Sequence, residues 1–200
     1  MAGVAGRSPQ EILRDASSDA NQVIGKMKFD FRLWLAQGFG VGRIPFAPGT
    51  AGSLAGLLWF FLLLAAGNVR FYLIGLAAGL ALSVWICGQA EKILQRTDPA
   101  SVVLDEIAAL PICFASWILI RQCQGSDWPG AGFFLRPDTW YLTLGIFAAF
   151  RLFDVVKPWP VRQSQALPGG WGVTIDDVLA AVYVNLATLM IWAGRLWWRE

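Results

Sequence analysis

The sequence predicts an all-α integral membrane protein, a helical bundle of about five spanning helices preceded by a short N-terminal interfacial helix. Three observations carry that prediction. Hydrophobic residues make up 56% of the 200-residue chain and charged residues only 15%, where a soluble domain carries roughly a quarter. The apolar residues are gathered into runs approaching the ~20 that cross a bilayer core. Eleven tryptophans are present, a residue that collects at membrane interfaces.

Taken in order, residues 1–28, opening MAGVAGRSPQEILRDASSD, lack the apolar core of a secretory signal. They read as a soluble, partly disordered tail, and residues 29–200 as a single membrane-embedded domain. Residues 29–37 alternate apolar and polar side chains, as suits an interfacial helix with Trp34 at headgroup depth. Residues 38–53, GFGVGRIPFAPGTAGS, are too rich in glycine and proline for a helix, and lead into a first span counted from Gly49 to Ala66. A second span covers residues 69–90. Gly52 with Gly56, and Gly75 with Gly79, carry the four-residue spacing that lets helices approach closely in lipid.

A third helix is expected to start at Asp98-Pro99, with aspartate as cap and proline at the first helical position. It would run to about Ile120 and hold Asp105 and Glu106 roughly 9 Å inside it. Residues 122–138 read as a loop on the opposite face. A fourth span covers residues 140–154 and a fifth residues 174–193. Asp154 falls in the last turn of the fourth, because Lys157 precedes Pro158 and a residue before proline leaves the helical region. Thr174 to Asp177 reads as a T-x-x-D cap opening the fifth.

Composition excludes several classes. A net charge of +2, with no Lys or Arg run interleaved with aromatics, argues against a nucleic-acid partner. Cys87, Cys113 and Cys123 lack metal-like spacing and read as packing thiols. With no histidine in the chain, zinc ligation and Ser-His-Asp or phosphohistidine chemistry are ruled out.

If five helices alternate, residues 38–53, the acidic pair, residues 154–177 and the N-terminus all fall on one side. That side carries eleven of the sixteen Lys and Arg residues, and the positive-inside rule makes it cytoplasmic. Asp105, Glu106, Asp154, Asp176 and Asp177 then sit together at the cytoplasmic end of the bundle. A charged residue within a membrane helix costs ~2.5–3.5 kcal/mol even on insertion scales, so such a cluster calls for a cation. Oxygen-only ligands suit Mg²⁺, Ca²⁺ or Mn²⁺. Lys157 and Arg162 flank a rigid Pro-Trp-Pro and are placed to clamp a phosphate. The APGTAGS turn offers Thr50 and Ser53 at a helix N-terminus, a site suited to an anion. Salt bridging, Arg151 to Asp154 foremost, contact of the cations with anionic lipid, and ordinary capping by Thr50 are the structural alternatives.

These features fit phosphoryl chemistry on a lipid headgroup, with metal-assisted attack by water preferred over a carboxylate nucleophile. The alternative is a cation-binding membrane transporter or channel without hydrolytic activity, its ion path lined by the same acids. The gathering of those acids at one end favours the enzyme. A lipid transferase with paired acids is disfavoured, because the D-G-x-x-A-R pattern is absent.

GFGVGRIPFAPGTAGS, DPASVVLDE, RLFDVVKPWPVR and PGGWGVTIDD together resemble, in order and spacing, the phosphatidylglycerophosphatase A family of bacterial inner membranes. The likeness covers residues 33–193. It implies a Mg²⁺-dependent phosphatase that removes the terminal phosphate of phosphatidylglycerophosphate to give phosphatidylglycerol. It also implies that Asp105, Glu106, Asp154, Asp176 and Asp177 are catalytic and metal-binding. Lys157, Arg162, Thr50, Gly169 and Gly170 match the family's motif positions as well, and with Ser53 make up the expected phosphate-binding set.

Overall fold

The computed structural model describes residues 30–198, and the tail expected over residues 1–28 lies outside them. Every regular element among the described residues is helical. α1 (Phe31–Ala36) is followed by a 3₁₀ segment (Gly38–Arg43), α2 (Pro48–Ala65) and α3 (Val69–Leu94). α4 (Leu104–Ala109) runs through a 3₁₀ turn (Leu110–Phe114) into α5 (Ala115–Cys123). Then come α6 (Ala131–Phe134), α7 (Trp140–Val156), α8 (Val161–Ser164) and α9 (Gly170–Trp197).

Three of these, α2, α3 and α9, are long and apolar enough to cross a membrane by length and composition. Of the other two expected crossings, α7 has 17 residues, a rise of about 26 Å, and α4–α5 is broken at Pro111. Proline cannot donate to the carbonyl four residues back, and the chain tightens there into a 3₁₀ turn. In lipid the groups released by such a break need internal partners. Tyr72 Oη on α3 donates to the Pro111 carbonyl at 2.7 Å. Asn185 on α9 does more: its Nδ2 donates to the Ile112 carbonyl at 2.8 Å and its Oδ1 accepts from Ser116 N at 2.7 Å.

Around this break lies the main core. Phe60 and Phe114 stack with centroids 4.0 Å apart, and Phe134 meets Phe60 edge-on at 5.0 Å. Leu63, Leu64, Leu110, Phe150 and Val184 pack with them. A second cluster, including Ala36, Ile86, Cys87, Val102, Leu104 and Val173, lies where α1, α3, α4 and α9 meet. Cys87 and Cys113 are buried in these cores and Cys123 is exposed. The expected glycine contacts form: a Cβ on Gly56 would come within 2.9 Å of Leu110 Cβ, and one on Gly52 within 2.7 Å of Val103 Cβ. Gly75 backs onto Leu63 in the same way, while Gly79 has ordinary contacts with Trp59.

Three boundaries differ from the sequence expectation. α2 begins at Pro48, inside the stretch expected to be non-helical, because proline at the first helical position follows Ala47 in the left-handed region. The third helix begins at Leu104, not at Asp98, so the acidic pair occupies its first turn. Asp98 has a φ of 47°, Val102 N bonds the Pro99 carbonyl at 2.8 Å, and Val103 N bonds the Ala36 carbonyl at 3.0 Å. That pinning to α1 holds residues 99–103 as a turn. The last helix begins at Gly170, and Thr174 is inside it rather than capping it. The Thr174 hydroxyl is instead hydrogen-bonded to Ser83 Oγ of α3 at 2.9 Å.

Candidate active site

Four separate stretches of chain meet at one end of the bundle. α2 contributes Pro48 and Gly49 from its first turn, the turn before α4 contributes Asp98, and the first turn of α4 contributes Asp105 and Glu106. The end of α7 contributes Arg151, Asp154 and Lys157, and α9 contributes Asp176 and Asp177. Together they line a cleft of about 290 Å³. Two cations thus face six carboxylates.

Each side chain is set by its element. Arg151 and Asp154 are three residues apart on α7 and share a face: Arg151 Nη1 donates to Asp154 Oδ2 at 2.7 Å, to Ser53 Oγ at 3.2 Å and to Glu106 Oε1 at 3.5 Å. Ser53 in turn donates to the Gly49 carbonyl at 2.9 Å. Lys157 ends α7 with a φ of 46°, which turns the chain back over the cleft. Its ammonium pairs with Asp176 and lies 3.4 Å from Asp154 Oδ1. Asp154 therefore touches both cations, one with each oxygen. Burial alone would lower the Lys157 pKa, but the hydrogen bond to Asp176 and the charges of Asp176, Asp154 and Asp177 outweigh it and raise the group above the ordinary lysine value. It stays an ammonium at any physiological pH.

Gln165 bridges the far wall, its Nε2 3.0 Å from both Asp98 Oδ2 and Asp176 Oδ2. Asp177 N donates to Asp176 Oδ1 at 3.0 Å. Two acceptors are left over: Asp105 Oδ1 and Glu106 Oε2 are buried with no hydrogen-bond partner. Among the described residues no three His, Cys, Asp or Glu side chains are gathered so as to hold a metal ion; Arg151 and Lys157 bridge the carboxylates instead.

Of the residues singled out in the sequence, Asp105, Glu106, Asp154, Lys157, Asp176 and Asp177 all line the cleft. Ser53 reaches it through Arg151. Thr50 lies in the first turn of α2 next to Gly49 but off the cleft wall. Arg162 is exposed on α8, and Gly169 and Gly170 are likewise not part of the wall. The paired glycines serve the α3–α9 crossing. Gly169, with a φ of 60°, turns the chain into α9, and Gly170 packs on Val84 and Gly88, where a Cβ would come within 2.7 Å of Gly88 N and collide with the Val84 carbonyl. Gly170→Ala is therefore expected to cost ~1–3 kcal/mol of stability, read as a lower unfolding temperature in detergent. An unchanged temperature would show that the crossing has slack.

Arg151, Asp98, Gln165 and Gly49 also belong to the site, beyond the residues expected there. Arg151 was visible as an ion-pair partner, but nothing in its spacing told that it also reaches Ser53 and Glu106. Asp98 carried a cap signature that the turn at residues 99–103 overrode. For Gln165, eleven residues from Asp176, the sequence holds no signal.

Fold and cleft together define an all-helical membrane protein with a charged site at one end of its bundle. Residues 34–192 match the family described as Phosphatidylglycerophosphatase A. Among curated proteins, Phosphatidylglycerophosphatase A of Haemophilus influenzae is 35% identical over 164 residues, covering 82% of this chain and 88% of that protein. Phosphatidylglycerophosphatase A of Escherichia coli K12 is 31% identical, covering 82% and 83%. A Bacteroides thetaiotaomicron protein provisionally named a phosphatidylinositol-3-phosphatase is 36% identical, covering 74% and 86%. No solved structure matches. The chain belongs to the phosphatidylglycerophosphatase A family, and with it to the phosphoric monoester hydrolases.

Proposed function

We propose that this protein is a Mg²⁺-dependent phosphatidylglycerophosphatase of the bacterial inner membrane, removing the terminal phosphate of phosphatidylglycerophosphate at the cytoplasmic face and leaving phosphatidylglycerol. The observation that carries the reading is the pair of buried, unpartnered oxygens on Asp105 and Glu106 in a cleft that also holds Arg151 and Lys157. A buried polar atom without a partner is costly, and a hard divalent cation fits that need. Mg²⁺ keeps several waters and takes one or two protein carboxylates plus substrate phosphate oxygens, so it requires no closed cage. Asp105 and Glu106 would hold it, with Asp154, Asp176 and Asp177 around them. When bound, Mg²⁺ supplies positive charge against the oxygens of the phosphate.

The chain's own residues do the rest. Lys157, a permanent ammonium with three donors, and the Arg151 guanidinium stand ready to meet the non-ester oxygens of a phosphomonoester. Neighbouring carboxylates orient a water and take its proton as its oxygen attacks phosphorus. The phosphorus–oxygen bond to the glycerol breaks, that oxygen gains a proton, and inorganic phosphate leaves. Among the described residues, Arg32, Arg43, Lys92, Arg96, Arg151, Lys157 and Arg162 fall on the cleft side of the expected alternation against Arg70, Arg121, Arg136 and Arg195 on the other, which supports a cytoplasmic orientation.

Purified protein given phosphatidylglycerophosphate is expected to release phosphate with Mg²⁺ and to stop with EDTA. Release undiminished by EDTA would remove the metal from the proposal. Release from phosphatidylinositol 3-phosphate instead would move the assignment to another headgroup, and cation flux without phosphate release would replace the phosphatase by a transporter.

A further inference from the structure

At the end of the bundle away from the cleft, α5, α7 and α9 part to leave a groove of about 230 Å³. Its lining is almost wholly apolar, and no acid contributes to it. Gly145, Ala149 and Ala187 keep it open, and a Cβ on Gly145 would meet nothing within 4 Å. One hydroxyl, on Thr188, is already spent on the Val184 carbonyl at 2.9 Å. At the mouth stand Tyr141, Trp192 and Arg195.

The dimensions match part of a lipid. Val184 and Arg195 both line the groove, and eleven residues of helix rise about 16 Å, half of a ~30 Å hydrocarbon core. Arg195 lies nineteen positions along α9 from Asp176, about 28 Å, which sets it at the opposite membrane surface. Tyr and Trp favour headgroup depth. Arg195 is exposed and has no ion pair among the described residues. A guanidinium without a carboxylate, at the mouth of an apolar slot one leaflet deep, is complementary to a phosphate above an acyl chain. The lack of any acid on the wall leaves nothing to repel an anionic headgroup.

We propose that this groove binds one acyl chain of an anionic phospholipid from the leaflet opposite the cleft, with Arg195 on its headgroup phosphate. This lipid is a resident companion and not a reactant, since a full membrane thickness separates it from Asp176.

Native mass spectrometry of the full chain in detergent, with phosphatidylserine or phosphatidylcholine added, tests it. Phosphatidylserine is anionic but has no phosphomonoester, so it is no substrate for the cleft. Wild type is expected to retain one phosphatidylserine with about fivefold preference over phosphatidylcholine, the size of one interfacial cation's attraction. Arg195→Gln is expected to erase the preference. Gly145→Phe, whose Cβ has open space around it and whose ring would occupy the groove, is expected to abolish retention of both lipids. Phosphate release is expected to stay at the wild-type level in both variants. Retention by Gly145→Phe equal to wild type, or an undiminished preference in Arg195→Gln, would overturn the proposal. So would a dimer in wild type that Gly145→Phe dissociates with no lipid bound, since the groove would then hold a second copy of the chain.

Discussion

Asp154→Asn is expected to lower phosphate release by at least ~10²-fold, the usual scale for losing a preorganised charge at a phosphoryl or acyl centre. Asp154 is the one cleft residue whose two oxygens are divided between the two cations, Oδ2 toward Arg151 at 2.7 Å and Oδ1 toward Lys157 at 3.4 Å. An amide has the same shape but accepts on one side only, and its NH₂ must face the other cation. One of the two cations therefore loses its seat, and the cleft loses a negative charge at the same time. Expression and elution on size exclusion should not change, because Asp154 sits at a helix end and packs into neither core. Wild-type turnover in a folded Asp154→Asn protein would mean that Asp154 is only a prop for Arg151.

Asn185→Ala is expected to produce the largest loss of stability, about 2–4 kcal/mol, measured as a fall in the unfolding temperature in detergent. Nothing in the cleft is touched. The cost arises because, past the Pro111 break, the Ser116 amide donates to Asn185 Oδ1, and the Ile112 carbonyl, already bonded by the Ala115 amide, takes Asn185 Nδ2 as a second donor. Each polar group stranded in a dry interior costs ~1–3 kcal/mol, and the vacated volume adds to that. Asn185→Gln keeps the amide but carries it one methylene too far, and should recover little. A wild-type unfolding temperature for Asn185→Ala would show that water enters the break.

How much of this was legible in advance varied with the physics involved. Long apolar runs are read reliably, since a bilayer sets their length, and α2, α3, α7 and α9 fall close to their expected ranges. Convergence of the acids was legible too, because alternate crossing forces every second loop to one surface. What escaped were effects of contacts distant in sequence. Asp98-Pro99 has the local chemistry of a helix start, yet a hydrogen bond from Val103 to Ala36 delays the helix to Leu104. Thr174 has the chemistry of a cap, yet it binds Ser83. The paired glycines look like a phosphate loop, and it is the Val84 carbonyl that explains Gly170. Arg151 reaches Ser53, 98 positions away, and Gln165 reaches Asp98, 67 positions away, contacts that only the packed bundle creates.

α3 and α9, at 26 and 28 residues, rise about 39 and 42 Å, some 10 Å more than the hydrocarbon they cross. Asp176 and Asp177 lie six and seven residues into α9, so a similar ~10 Å of helix stands beyond them. Their depth is then the boundary where acyl tails give way to glycerol and water. A lipid diffusing in the plane of the sheet meets the pocket at the height of its own ester linkages, and has neither to be lifted out of the membrane nor to dip its phosphate into oil.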